Sequence, residues 1–447
     1  MALSGLDIYK LLPKTNCREC GFPTCLAFAM QLAKKAVELG RCPYLSPEAK
    51  ATLEESSLAP IRLITFGKDK KIELGNETVL FRHEDKFYHP TAVGFIIDDN
   101  LSDKEIEERL DRINRLKFER IGQLLEPELV AIRQNADKKR FVEVLKIISQ
   151  KIDLSFVLMS SDIDSQKEAL SCVADKKPLV HPQGKENLQE FAKLAQEFKV
   201  PLVVCSSDLE EMSHLTKALK KQGWEDLILD ITAKSLTEEI WNLTQIRRLA
   251  LKKKDRSFGY PTLMVVDEKD PYLETIKAAD YIAKYASIVL MQGTQPWQIL
   301  SLLTLRQNIY SDPQKPLQIE PKVYPVGQVN EKSPVLVTTN FSLTYYTVLG
   351  EVEASRIPSY IMSVDTEGMS VLTAWAAEKF TPDKISSSIE SFGVKNLVRH
   401  NRLVIPGYVA VMSGDLEEKS GWQVIVGPKE ASGIPAFLKN LTRTGVG

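Results

Sequence analysis

The chain has 447 residues, 43% of them apolar and 26% charged, a composition typical of soluble globular proteins and unlike disordered, collagen-like or disulfide-scaffold chains. Lys and Arg number 58 against 59 Asp and Glu, a net charge of −1, which argues against a protein held to nucleic acid by counterion release and leaves only a local basic patch open. At roughly 150 residues per domain, the length suggests two or three domains.

The N-terminus, MALSGLDIYKLLPK, lacks a basic region followed by an apolar one, and no run approaches the roughly 18 apolar residues that span a bilayer. The cytoplasm is the expected location. Four of the six cysteines, Cys17, Cys20, Cys25 and Cys42, then fall within 26 residues as C-x2-C-x4-C-x16-C. In a reducing compartment such a group reads as a metal or cluster site before it reads as disulfides. Gly21 and Pro23 let the loop bend sharply around a centre and turn backbone N–H groups toward the sulfurs, where such bonds tune a reduction potential. The stretch 26–40 reads as an amphipathic helix ending at Gly40, returning Cys42 to the loop. Zinc modules usually place thiolates in two separated pairs, whereas three close cysteines plus a distant Cys42-Pro43 are nearer to ferredoxin practice. A [4Fe-4S] cluster is therefore the leading expectation, with zinc the alternative. Cys172 and Cys205 lie in or near apolar runs and read as buried thiols.

Short pieces at 60–86, with Gly-containing turns, suggest a small β element acting as a spacer. Eight β-branched runs follow, at 92–98, 128–135, 155–162, 177–183, 201–207, 226–232, 261–267 and 286–293. Each precedes an amphipathic stretch, and the alternation over about 240 residues predicts a (β/α)8 TIM barrel. Asp98, Asp99, Asn100, Asn135, Asp162, Asp230 and Asp267 fall at strand ends, the usual active-site face; capping of the following helices is the favoured reading, since no metal triad or Lys/Glu pair stands out among them. Residues 310–334 carry five prolines and read as a connector. A third unit has strands at 334–340, 359–365, 402–407 and 422–428 between helical stretches, an α/β sheet with ligands expected at the strands' carboxyl ends. The expected division is 1–58 for the cluster module and tether, 59–325 for the β element and barrel, and 326–447 for a C-terminal doubly wound α/β domain.

The NCRECGFPTC…RCP module, the barrel, and the stretch VTTNFSLTYYTVLGEVEASRIPSYIMSVDTEGMSVLTAWAAEKF together resemble the large (gamma) subunits of the corrinoid iron–sulfur proteins of the anaerobic acetyl-CoA, or Wood–Ljungdahl, pathway. The resemblance covers essentially the whole chain. It implies a methyl carrier, one subunit of a corrinoid-dependent methyltransferase system. A corrinoid held by the C-terminal domain, as Co(I), would accept a methyl group from methyltetrahydrofolate on a separate methyltransferase. As methyl-Co(III) it would pass the group to acetyl-CoA synthase/CO dehydrogenase. The [4Fe-4S] cluster, ligated by Cys17, Cys20, Cys25 and Cys42, would restore Co(I) from Co(II), approaching the corrin on residues 43–60, whose helical composition suits a rigid arm as well as a tether. A small subunit would complete a heterodimer, with neither nucleic acid nor membrane as a partner.

None of His83, His89, His181, His214 and His400 lies in a D-x-H-x-x-G loop, so the expected corrinoid is base-off, without a histidine ligand. A weak axial donor eases reduction of the cobalt. Candidate contacts are Asn340, Tyr346, Gly368, Ser370, Val371, Leu372 and Thr373, with Thr373 placed nearest the lower cobalt face, and Gly427, Ser432 and Gly433 as a wall for the nucleotide tail. Helix capping by Asn340 and Ser370, and core packing by Tyr346, are the competing readings. Two rival functions remain: a pterin-dependent methyltransferase whose barrel itself binds methyltetrahydrofolate, and a zinc-stapled scaffold whose C-terminal domain binds a nucleotide.

Overall fold

A computed structural model describes the chain except residues 1–4, 34–35, 51–52, 54–58, 314 and 444–447. It divides into two compact units, Met1–Leu80 with Phe87–Leu116 and Pro127–Ile309, and Phe81–Lys86 with Lys117–Glu126 and Tyr310–Gly447. Among the described residues, no helix is long and apolar enough to cross a membrane.

The first unit opens with helices Gly5–Leu11 and Cys25–Ala33, a short helical turn at Leu39–Arg41, and an antiparallel hairpin of β1 (Ile64–Phe66) and β2 (Ile72–Leu74). Strand β3 (Ala92–Asp98) begins the barrel. The chain then forms a second hairpin, β4 (Phe118–Arg120) and β5 (Gln123–Leu125), before returning to the barrel with β6 (Leu129–Arg133), β7 (Ser155–Met159), β8 (Leu179–His181), β9 (Leu202–Cys205), β10 (Leu227–Asp230), β11 (Thr262–Val265) and β12 (Ile288–Met291). Among the described residues, eight parallel strands close in chain order, β12 pairing with β3 from Ile288↔Ala92 to Met291↔Phe95. The predicted barrel is observed strand for strand. Its strands read as continuous apolar runs because they are buried on both faces, inward by the barrel and outward by helices.

The β1–β2 hairpin is more than the expected spacer. Ile64, Phe66, Ile72 and Leu74 share one core with the barrel residues Ile96, Ala131, Val157, Leu179, Val203 and Ile288. Three hydrogen bonds hold the hairpin region to backbone or side-chain positions just before or at the starts of strands: Gly67 N–H to Lys177 O at 2.9 Å, Arg62 N–H to Gly259 O at 2.8 Å, and Ser155 Oγ to Lys70 O at 2.8 Å. The hairpin therefore plugs the amino end of the barrel.

The second unit is built on a sheet of β13 (Val323–Val326), β14 (Val335–Thr339), β15 (Ser359–Val364), β16 (Arg402–Ile405) and β17 (Gln423–Val426), in the order β13-β15-β14-β16-β17. β13 runs antiparallel on the edge and the others are parallel. β13 lies inside the segment read as a connector, and this unit takes up the main chain at Tyr310, ahead of the division expected between 325 and 326. Pro325 is tolerated there because an edge strand has one side free of ladder bonds. The β4–β5 hairpin also belongs to this unit, where Ile121 packs on the core of Leu336, Tyr345, Ile361 and Val404.

Phe66 is fully buried in the plug. Its replacement in Phe66→Ala leaves a cavity that should cost about 3–5 kcal/mol, read as a lowered denaturant midpoint of the barrel transition. An unchanged midpoint would show that the plug adds nothing to barrel stability.

Candidate functional site

The N-terminal module gathers its thiols around a small core of Ile8, Leu12, Phe28, Ala29 and Leu53 that includes Cys20, Cys25 and Cys42. These three are buried and Cys17 is exposed. In and just before the loop the backbone takes positive φ at Asn16 (50°), Arg18 (68°) and Gly21 (84°), and Gly21 N–H closes a turn on Arg18 O at 2.9 Å. Glycine suits the last of these because it has no Cβ to strain. Asn16 Oδ1 accepts the Cys25 N–H at 2.8 Å, fixing the start of the helix against the loop. That helix is described over Cys25–Ala33, and Leu39–Arg41 then presents Cys42; residues 34–35 of the expected 26–40 helix, and 51–52 and 54–58 of the expected tether, lie outside the described residues.

Burial pushes the Cys42 thiol up, a bond from the Tyr44 backbone N–H to its sulfur works against this, and Cys20, Cys25 and Cys17 push it up further. Cys42 is thus close enough to feel the other three cysteines. Four thiols with a backbone N–H directed at one sulfur fit a thiolate-bound metal group.

In the second unit the chain passes from β14 outward to β15 and then back across β14 to β16, so the strand order reverses between β14 and β16. Ligands of open α/β sheets lie outside the carboxyl ends at such a switch point. The two strands share the single register pair Leu336↔Val404, and beyond it a crevice of about 380 Å3 opens. Thr338, Phe341, Leu343, Thr344, Ser370, Val371, Pro406, Tyr408, Gly427 and Lys429 contribute to its lining. Thr338 is 1% exposed and its Oγ1 has no hydrogen-bond partner, a buried hydroxyl at a cavity wall, as a polar ligand would require.

Of the candidate contacts, Ser370, Val371 and Gly427 line this crevice. Asn340 is buried and braces the loop beside it: its Oδ1 accepts Thr366 N–H at 2.9 Å, Thr366 Oγ1 at 3.0 Å and Gly368 N–H at 3.0 Å. Neither Asn340 nor Ser370 makes a side-chain capping bond; the residue before helix Ser342–Ser355 is Phe341. Ser370 Oγ instead lies 3.0 Å from Thr373 Oγ1. Leu372, Thr373 and Ser432 are exposed and outside the lining. Gly433, also outside it, has room for no side chain, since a Cβ would meet Pro428 at 2.8 Å. Tyr346 packs edge-on against the buried Tyr345 at 5.2 Å. Thr338, Phe341, Thr344 and Tyr408 were not foreseen, because strand order decides their meeting and no local pattern encodes it.

His400 stands at the opposite end of this sheet, with both ring nitrogens engaged: Nε2 meets Ser333 O at 3.0 Å and Nδ1 accepts the Arg402 N–H at 3.2 Å. His83 stacks on Phe81 at 5.5 Å.

At the carboxyl mouth of the barrel, most strand-end polar residues are consumed locally. Arg133 bonds Asp98 through two nitrogens and Asp267 through a third. Asp99 accepts the N–H groups of Asn135 and Ala136, and Asp162 caps the helix Ile163–Val173 through Ser165 N–H. Asp230 differs. It is 7% exposed and its Oδ2 lies 3.0 Å from His181 Nε2, with Cys205 beside both. Burial would raise the Asp230 carboxyl, but the bonds from His181 and Thr232 outweigh this and hold it down. Burial and the Asp230 carboxylate push the Cys205 thiol well up. Cys205 is thus half-buried among polar groups and Cys172 is exposed, so neither is the apolar core thiol expected.

The four-cysteine module, the barrel and a switch-point crevice define a multidomain α/β protein. The family model "CO dehydrogenase/acetyl-CoA synthase delta subunit" matches residues 63–438, and one described as "Putative Fe-S cluster" matches residues 12–44. The chain is 46% identical over 98% of its length to the corrinoid/iron-sulfur protein large subunit of Moorella thermoacetica, covering 99% of that protein. It is 38% identical to the acetyl-CoA decarbonylase/synthase complex subunit gamma of Methanothermobacter thermautotrophicus, over 99% of each chain. The chain belongs to this CO dehydrogenase/acetyl-CoA synthase subunit family, together with the large, or gamma, subunits.

Burial, partly opposed by the bond to Ser333 O, lowers the His400 pKa from its ordinary 6.5. The unfolded chain therefore binds the proton more readily, and the stability contributed at neutral pH declines as pH falls below about 6.5 toward the lower folded value. In His400→Asn this part of the acid slope should disappear from the second unit's denaturation midpoints; an identical slope in both proteins would assign it to other groups.

Proposed function

We propose that this chain is the large, methyl-carrying subunit of a corrinoid iron–sulfur protein, and that Cys17, Cys20, Cys25 and Cys42 hold a [4Fe-4S] cluster while the switch-point crevice holds part of a corrinoid. The observation that carries the reading is the pairing of a four-thiol module with that crevice in a chain related over its full length to a corrinoid/iron-sulfur protein large subunit. When bound, the corrinoid supplies a cobalt that takes up and gives away a methyl group, and the cluster supplies the electron that restores its reduced state.

The chain's own residues hold and insulate these groups. Three cysteines within nine residues joined by a distant Cys42-Pro43 favour a cluster over zinc, whose modules usually place their thiolates in two separated pairs. In the crevice, Thr338 Oγ1 offers an unspent hydrogen bond, and Lys429 brings a positive charge for the phosphate of a nucleotide tail. Phe341, Leu343, Val371 and Tyr408 offer apolar surface, of which Leu343 is 67% and Tyr408 45% exposed. A large ring would cover such surface and exclude water from its lower face. The engagement of both His400 nitrogens supports a corrinoid without a histidine ligand. The proposed partners are a small subunit, a methyltetrahydrofolate methyltransferase and acetyl-CoA synthase/CO dehydrogenase.

Anaerobic isolation with the small subunit, followed by metal analysis and visible spectroscopy, tests the proposal. The expected result is about four irons and one cobalt per chain. Thr344→Trp, which fills the crevice, should lose most of the cobalt and keep its iron, whereas Cys17→Ser, at the exposed ligand, should lose iron and keep cobalt. Wild-type protein containing neither iron nor cobalt would overturn both assignments.

A further inference from the structure

His181, Cys205 and Asp230 are the terminal residues of β8, β9 and β10, three neighbouring strands of the barrel, at its carboxyl end. Residues contributed by several strand ends at this face are the usual makings of a site in this fold. One ligand-type atom from each, imidazole nitrogen, thiol sulfur and carboxylate oxygen, lies within 4.8 Å of the other two. Among the described residues this is the one such trio. His181 is 2% and Asp230 7% exposed, so two of the donors are already desolvated and fixed. All three line a cavity of about 520 Å3, shared with Arg133, Gln183, Lys185 and Thr232.

We propose that His181, Cys205 and Asp230 form a second metal site, independent of the N-terminal cysteines, for a divalent ion of the zinc class. Mixed nitrogen, sulfur and oxygen donors select such a borderline ion over the hard magnesium or calcium, which take oxygen alone. Three protein ligands leave a tetrahedral ion one position short, the arrangement of zinc sites that bind water or an exchangeable ligand. The cavity beside the trio gives that ligand room.

The metal-free structure holds the trio by hydrogen bonds that a metal would replace. Gln183 N–H donates to His181 Nδ1 at 3.0 Å, so the ring proton sits on Nε2 and points to Asp230 Oδ2. Binding through Nε2 moves that proton to Nδ1, where a second N–H can no longer face it. Rotation of the Pro182–Gln183 peptide resolves the conflict by replacing the N–H with the Pro182 carbonyl, the acceptor that metal-bound histidines ordinarily use. Gln183 stands at φ 59°, a left-handed conformation that strains a non-glycine residue, and this rotation changes that angle. The Cys205 proton leaves to solvent, so uptake of one ion releases one proton net.

The test uses the full chain with its iron in place, treated briefly with chelator and then dialysed against zinc. One zinc per chain is expected, with an X-ray absorption shell of one sulfur near 2.3 Å and nitrogen or oxygen near 2.0 Å. Cys205→Ser and Asp230→Asn should each lose that equivalent at wild-type iron content, while Cys172→Ser should keep it. A four-sulfur shell would assign the zinc to the N-terminal cysteines and overturn the proposal, as would failure of the wild type to take up zinc or retention of zinc by both variants. If a variant fails to fold, the wild-type shell alone decides.

Discussion

Parallel strand pairing determines where chemistry can take place in both units. A parallel ladder sends every carboxyl end to one edge and covers the faces with returning helices, so only the edges stay open. In the barrel the amino edge is filled by Phe66 and its hairpin neighbours. In the second unit that edge is tied together by His400 and Ser333. The carboxyl edges remain, and they carry what is unspent: His181, Cys205 and Asp230 in one unit, and the Thr338 hydroxyl with the crevice around it in the other. The thiol module obeys a different constraint. Three of its four cysteines sit in its small core, and a bound metal group would supply the cross-links that small domains generally need.

What could be read in the sequence follows from whether the signal is local. The barrel strands announce themselves because each is a compact apolar run, and the cysteine spacing because the ligand set spans only Cys17 to Cys42. The β1–β2 segment was legible as a small β element but not as a plug: alternation of apolar Ile64 and Phe66 about Thr65 shows that one face is covered, not by what. β13 was hidden by its own prolines, Pro321 and Pro325, which mark a connector in general and an edge strand only when a neighbour exists to pair with. The crevice illustrates the limit most clearly. Thr338 and Tyr408 are 70 positions apart, and they meet because β16 returns to the far side of β14. Asn340 and Gly368 were each singled out as candidate ligand contacts, and here they bond to one another as internal bracing; a small residue beside an amide is the same signal whether it meets a ligand or a neighbouring turn.

The barrel mouth has two halves, and the contrast between them bears on which chemistry this unit can support. On one side Asp98 and Asp267 are drawn onto Arg133, with Gln292 and Asn135 taking further carboxylate oxygens. A carboxylate already saturated by a guanidinium and amides has little capacity left to read the N–H groups of a pterin, and breaking the Asp98–Arg133 pair would leave a partly buried charge uncompensated. That half is closed by its own electrostatics, which weighs against a barrel that binds methyltetrahydrofolate itself. On the other side the buried Asp230 carboxyl is bonded to His181 and Thr232, which hold its pKa down against burial, with no guanidinium or ammonium within ion-pair distance among the described residues. A negative charge kept in such a place without a counter-ion is costly, and a bound cation is the most direct way to satisfy it. The same barrel thus closes one half of its mouth by charge pairing and leaves the other needing positive charge.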